Sequence, residues 1–214
     1  MFKKKLNFGI QNLLGSKDRK KIRTAVLQQF PKCDEETFDL LFPSKEQLKV
    51  TRLATNNRLS VYLRKDIPLF VDYNGDLLPT VYALWQAPHI LPCLIIPSEV
   101  STFILRGADL MLPGVFRSPQ GFEKSLIKGE KWGIRVINNR YAFAVGSSCI
   151  DESHILKNGM KGKCLELLHC FGDFLWQMGP RNAPNASFTT VIIQNNNDVE
   201  EVNISSMEKL LPSA

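Results

Sequence analysis

The sequence has 214 residues, 44% hydrophobic and 22% charged, an ordinary globular composition with enough apolar material for one large domain or two small ones. The net charge of +6 is local: residues 1–23 hold Lys3, Lys4, Lys5, Lys17, Arg19, Lys20, Lys21 and Arg23 against the single acid Asp18, and the rest is nearly neutral. No apolar signal core follows this basic start, and the longest apolar stretch is broken by Pro88, His89, Pro92 and Pro97, so the chain reads as cytosolic rather than secreted or membrane-spanning.

In chain order, residues 16–30 read as an amphipathic helix. Ile22, Ala25, Val26 and Gln29–Phe30 form the inward stripe, Lys17, Lys20, Lys21 and Thr24 lie on other faces, and Pro31 is the stop. A short helix at 34–42 is capped by Asp34 and turns Phe38, Leu41 and Phe42 inward. Residues 49–53, 59–63 and 69–72 read as a strand meander, and Asn74–Gly75 as a turn. Pro79–Trp85 reads as a helix with Pro79 near its first position, followed by a linker-like boundary at 87–97.

Residues 98–106 form a further predicted helix, and Gly107–Val115 a glycine-bracketed segment. Residues 132–137, 141–145 and 164–169 read as strands, with Asn138–Asn139 turning the first pair, and 151–157 as a short helix stopped at Asn158–Gly159. Residues 180–206 have linker composition, and 207–211 can begin another helix.

Two features carry chemistry. The basic N-terminal segment is either a polyanion-binding patch or a solvated end. In Gly107-Ala108-Asp109-Leu110-Met111-Leu112-Pro113-Gly114, glycine allows positive φ and close backbone approach. The segment is either a tight structural turn or one that presents N–H groups to a phosphate or base edge. Arg106 and Arg117 flank it, and Lys124 and Lys128 follow; each can neutralise a phosphate. Phe116 and Phe122 are either stacking aromatics or core, while Trp132 and Trp176 read as core.

Enzyme signals are missing. There is no phosphate loop and no nucleophile elbow, and His89, His154 and His169 lack an evident catalytic partner. Asp109 reads as a turn residue rather than a general base. The five cysteines form no C-x-x-C pair, and the spacing of Cys164, His169 and Cys170 fits no common zinc pattern. Neither metal nor cofactor is expected. The sequons at Asn185 and Asn203 read as chance matches.

The order of motifs resembles a PUA domain, the fold named after pseudouridine synthases and archaeosine transglycosylases. GADLMLPGV is similar to its glycine loop, GEKWGIRV (129–136) to its next strand, YAFAVGSS (141–148) to the hairpin return, and residues 153–176 to its closing region. Ahead of it, MFKK, QQFP (28–31) and LLPTVYALWQAPHILP (77–92) resemble the malignant T-cell amplified sequence family. GSKDRKKIR (15–23), PTVYALW (79–85) and GADLMLPG resemble the N-terminal region of the ligatin family, the translation initiation factor 2D proteins.

The resemblance implies an α+β architecture: an N-terminal α/β pre-PUA domain over 1–94, a PUA pseudo-β-barrel over 95–178, and a linker or disordered tail over 179–214. It implies a non-catalytic RNA- and ribosome-binding module that binds the small ribosomal subunit and assists GTP-independent tRNA placement, reinitiation or recycling. The family's SWIB-like and SUI1-type domains find no room before Ala214. The expectation is therefore a fragment, a short isoform, or a chain working with a SUI1-domain protein in trans. The expected RNA-contacting residues are Lys17, Lys20, Lys21, Arg23, Arg106, Gly107, Ala108, Asp109, Pro113, Gly114, Arg117, Lys124 and Lys128. The rival readings are an accessory RNA-binding subunit of a modification complex and a protein-interaction scaffold.

Overall fold

The computed structural model describes residues 2–5, 7–54, 56–118, 121–185 and 188. The expected helix at 207–211, the sequon at Asn203 and most of the expected tail lie outside the described residues.

The first sheet is an antiparallel meander in the order β1 (Asn12–Leu13), β2 (Leu48–Leu53), β3 (Asn56–Arg64), β4 (Ile67–Tyr73) and β5 (Asp76–Pro79). Two-residue turns set its register. Lys65 and Asp66 (φ 48° and 67°) join Arg64 to its cross-strand partner Ile67, and Asn74 and Gly75 (φ 55° and 87°) join Tyr73 to Asp76. Paired left-handed residues match the twist of the flanking strands.

Helix α1 (Ser16–Gln29) buries Ile22 and Val26, and Phe30 just past its end is also buried. Gln29, expected in the apolar stripe, is exposed instead. Its amide accepts from the Leu77 N–H (2.9 Å) and donates to the Gly75 carbonyl (2.7 Å), so it serves the free edge of β5. In α2 (Glu35–Leu41) the Asp34 carboxylate accepts from the Thr37 N–H at 2.8 Å, and Phe38, Leu41 and Phe42 are buried. The carbonyls left over at its C-terminal end are met by arginines: Arg19 donates to those of Phe42, Pro43 and Glu46, and Arg64 to those of Leu40 and Leu41. Helix α3 (Val81–Gln86) starts later than expected. Thr80 is its cap, and Pro79 ends β5, where an edge strand tolerates the missing N–H.

The second sheet runs β6 (Cys93–Ile96), β8 (Lys131–Val136), β9 (Ala144–Ser148), β10 (Lys163–Cys170) and β7 (Leu110–Met111). Only β6 and β8 pair in parallel; α4 (Ser98–Leu105) and β7 lie in the crossover between them, and α5 (Glu152–Asn158) follows β9. The presence of β6 corrects the linker reading of 87–97. Between Pro92 and Pro97 stands a four-residue run whose Leu94 and Ile96 are buried. Strand β9 begins three residues after the expected Tyr141, because residues 137–143 form a longer connection.

The two sheets share one buried core, which includes the aromatic cluster Tyr82, Trp85, Phe171, Trp176 and Phe188. Across the junction the Tyr82 hydroxyl donates to the Trp176 carbonyl (2.9 Å), the Trp85 indole donates to the Ala142 carbonyl (2.8 Å), and Lys32 pairs with Glu123 (2.8 Å). The Arg181 N–H returns to the Tyr82 hydroxyl, and Phe188 is 1% exposed. These contacts correct the linker reading for the part of the tail just past 179: the chain turns back and packs. Among the described residues no helix is long and apolar enough to cross a membrane.

Candidate nucleic-acid interface

The basic segment divides into structural and free cations. Arg23 is drawn to α2: its guanidinium pairs with Glu35 and with Asp39 (3.4 Å) and lies 5.4 Å over the Phe38 ring. Its place among the expected RNA contacts is thus taken by protein carboxylates. Lys21 makes an exposed pair with Asp18 at 3.6 Å, of a kind that contributes little. Lys17 and Lys20 are exposed and have no ion-pair partner among the described residues, as do Lys4 and Lys5. Within this basic segment the free positive surface is therefore lysine on α1 and on the irregular stretch that enters the fold.

The glycine segment is a helix stop. At the end of α4, Arg106 is the C-cap and Gly107 takes φ 89°. The Gly107 N–H bonds the Ile104 carbonyl (2.8 Å), and the Ala108 N–H reaches back to the Phe103 carbonyl (3.0 Å). This pairing is the Schellman arrangement, in which a left-handed residue lets two N–H groups meet otherwise orphaned carbonyls. The Leu112 N–H bonds the Gly162 carbonyl, and Leu110 and Leu112 are buried. The N–H groups of Gly107, Ala108 and Leu112 are thus not presented to a ligand, which corrects that reading of the loop. Gly114 lies against α4, where a Cβ would stand 3.1 Å from Val100 Cγ1. What this turn does expose is Ala108, Met111 and Pro113.

Asp109 is likewise occupied. One oxygen accepts from the Leu167 N–H (2.9 Å) and the other pairs with Lys163 (2.7 Å), clamping the turn to β10. Burial alone would raise its pKa; the Lys163 hydrogen bond, the Leu167 N–H and the nearby positive charges of Lys163 and Lys3 outweigh that and hold it below the ordinary carboxylate value. An acid occupied in this way braces the turn against β10.

Of the remaining expected contacts, Arg106 and Lys128 are exposed without an ion-pair partner among the described residues. Arg117 lies over the half-buried Phe122 (5.6 Å) and near Glu152 (4.0 Å), and Lys124 pairs with Glu130 at 2.8 Å. Phe116 is 48% exposed, whereas Trp132 and Trp176 are buried.

Sequence reasoning did not select Lys3 and His169. Phe2 is buried edge-on to His169, and the Phe2 carbonyl accepts from the Phe174 N–H. This anchors residues 2–3 across the second sheet, with the Lys3 side chain lying over Gly107. A cavity of about 210 Å³ opens there, lined by Phe2, Lys3, Arg106, Gly107, His169 and Phe174 among others. The N-terminal MFKK was a signal of family but not of location.

Comparison with known proteins identifies the two domains. A family model described as "Pre-PUA-like domain" matches residues 2–88, and one described as "eIF2D, PUA domain" matches residues 91–174. The chain therefore holds a pre-PUA-like domain followed by a PUA domain of the initiation factor 2D type.

Eukaryotic translation initiation factor 2D of Rattus norvegicus is 34% identical over 188 residues, covering 87% of this chain and 33% of the relative. The Homo sapiens protein is 31% identical over 186 residues, 86% and 32% of the two. The chain thus spans about a third of the length of these curated relatives. Translation machinery-associated protein 20 of Eremothecium gossypii is 28% identical over 160 residues, but there the match covers 86% of the relative. Among solved structures, a conserved PUA domain protein from Thermoplasma acidophilum superposes with a TM-score of 0.60 at 23% identity, covering 80% of this chain and all of that one. That likeness concerns the fold: a pre-PUA domain followed by a PUA domain.

Proposed function

We propose that this chain is the RNA-facing pre-PUA–PUA module of a translation initiation factor. In this reading it docks on the small ribosomal subunit and assists GTP-independent tRNA placement, reinitiation or recycling. It works with SUI1-type domains supplied elsewhere, either in the same protein or by a partner. The expected division into residues 1–94 and 95–178 is kept in this reading except that β6 (Cys93–Ile96) goes whole with the second sheet, so the pre-PUA domain ends before Cys93.

The observation that supports it most is the unpaired lysine on α1, Lys17 and Lys20, on a chain similar to translation factors over most of its length. Arg106 and Lys128 add free charge on the PUA side. Positioning is the whole mechanism in this reading: fixed cations neutralise phosphates and set orientation.

The test is co-sedimentation with purified small subunits across a salt series. With about 4 phosphate contacts, log K falls against log salt with a slope near −3, at roughly 0.7 per contact for single-stranded RNA. Replacing Lys17 and Lys20 together by Glu is expected to weaken binding and flatten the slope. Salt-independent association, or unchanged binding in that variant, overturns the reading.

A further inference from the structure

Two thiols meet at the end of the second sheet. In the β9–β10 ladder Leu165 pairs with Ser148 and Glu166 with Ser147. One step further along the same register Cys149 stands opposite Cys164, and the Cys149 N–H donates to the Cys164 carbonyl at 2.8 Å. Residues directly opposite in an antiparallel pair turn their side chains to one face, with α-carbons about 4.5–5.5 Å apart. That spacing lies within the roughly 4.4–6.8 Å that a disulfide spans. Both thiols are free.

The two differ in access. Cys164 is 0% exposed, whereas Cys149 is partly exposed. Cys149 lines an open hollow together with Ser147, Glu166, Lys128, His154 and Lys163. Ser147 and Glu166 are the residues that the period of two puts on the same face as Cys149 and Cys164, so the hollow opens on that face. A small reagent in solvent therefore reaches the Cys149 sulfur first, and the Cys164 sulfur lies behind it.

Charge separates Cys149 from the other partly exposed thiol. Lys163, whose pKa is raised first by its hydrogen bond to Asp109, also interacts electrostatically with Cys149. Cations beside a solvent-facing sulfur favour its attack on an electrophile. Cys93 has the opposite setting: it lies against Gly133, and burial followed by the Glu123 carboxylate pushes its pKa up to about 11. Cys164 is held back too, since burial and then the neighbouring Cys149 push its thiol up to about 12.

We propose that Cys149 and Cys164 form a peroxide-sensitive pair, in which Cys149 is the thiol that is oxidised and Cys164 closes a disulfide onto it. In the first step the Cys149 thiolate attacks one oxygen of hydrogen peroxide. An S–O bond forms, the O–O bond breaks, and the departing hydroxide takes up a proton as water. Cys149 is then a sulfenic acid. In the second step the Cys164 sulfur attacks the Cys149 sulfur. The S–S bond forms, the S–O bond breaks, and the Cys164 proton leaves with the hydroxide as a second water. The two thiols lose two electrons and the peroxide gains them. The closed bond ties the exit of β9 to the start of β10 and pins the segment between them, which carries α5. It also adjoins Lys163, the partner of Asp109 in the clamp described above. Nothing in this pair depends on the RNA-facing reading.

Treatment of the whole chain with hydrogen peroxide, followed by intact mass measurement and peptide mapping, tests it. The expected product is lighter by two hydrogens, and dithiothreitol restores the parent mass. Cleavage after lysine, arginine and glutamate separates Cys164 from Cys170 at Glu166, so a peptide joined through residues 149 and 164 is unambiguous. Cys149→Ser is expected to abolish the joined product. Cys164→Ala is expected to leave Cys149 one oxygen heavier and open to capture by dimedone. Mapping of the parent chain is decisive even where the buried Cys164 variant fails to fold. A parent chain that yields no peptide joining 149 to 164, including one whose Cys149 stops at the sulfenic or sulfinic acid, overturns the pair. Undiminished loss of two hydrogens in Cys149→Ser does the same.

Discussion

The Lys3 side chain occupies the space that a side chain on residue 107 would need, so Gly107 serves two purposes at once: it ends α4 and it seats a lysine from the start of the chain. Gly107→Ala separates these purposes. The left-handed conformation at φ 89° is expected to cost roughly 1–2 kcal/mol. The clash itself is cheap, since the far end of a lysine can move. Adding Lys3→Ala should therefore not restore the lost stability. Chemical denaturation of the single and double variants checks this.

Arg23 and its neighbours on α1 are expected to behave differently despite equal charge. Arg23→Glu sets a third acid against Glu35 and Asp39 and removes the cation from the Phe38 ring, so a loss of about 1 kcal/mol is expected. The Lys17 and Lys20 to Glu variant should stay within about 0.5 kcal/mol of the parent, as surface changes without partners do. Thermal melts of the two variants, side by side, are the measurement.

Asp109 makes stability depend on acid. Its folded pKa lies below the ordinary value of 3.8, so its contribution is complete above that value and disappears as pH falls through the lower, folded pKa. Asp109→Asn removes this dependence and weakens the clamp onto β10. The expected outcome is a smaller drop in melting temperature between pH 5 and the acid limit in the variant than in the parent. An equal drop in both would assign the acid sensitivity to other carboxylates.

Phe188 reports whether the segment past the PUA domain belongs to the fold. Its ring packs edge-on against Trp85 (5.4 Å) and Phe171 (5.3 Å). Phe188→Ala is expected to cost about 3–5 kcal/mol, the usual range for an emptied aromatic site. Trp85 should then emit at longer wavelength in the folded state, which fluorescence reads directly.

Much of this architecture was visible in local pattern. Asp34 followed three residues on by Thr37, the spacing of Ile22 and Val26, and Asn74–Gly75 each act over a few residues, so their consequences could be read in place. Strand β6 was hidden because four apolar residues between prolines look the same in a linker and in a parallel strand, and only its pairing with β8 distinguishes them. Pro79 misled for a related reason: it suits a helix start and an edge strand equally.

The candidate site was legible by type and not by partner. Composition identified the lysines and arginines, but Arg23 meets Glu35 and Asp39 on another helix, and Asp109 meets Lys163 and Leu167 on β10. Such pairings depend on tertiary placement, which no spacing rule carries. The Lys3–Gly107 contact and the buried Nε2 of His169 belong to the same class.

The hydrogen bonds of Tyr82 and Trp85 across the junction bear on how the surface meets a large polyanion. With the halves bolted together, the lysines of α1 and Arg106 beyond α4 keep a set separation, like the jaws of a caliper left at one opening. On the RNA-facing reading proposed above, a flexible tether would let each half find phosphates on its own, whereas this joint would favour a rigid target whose charges repeat at the matching interval. Loosening the joint should leave general stickiness toward RNA and erase preference among folded ones.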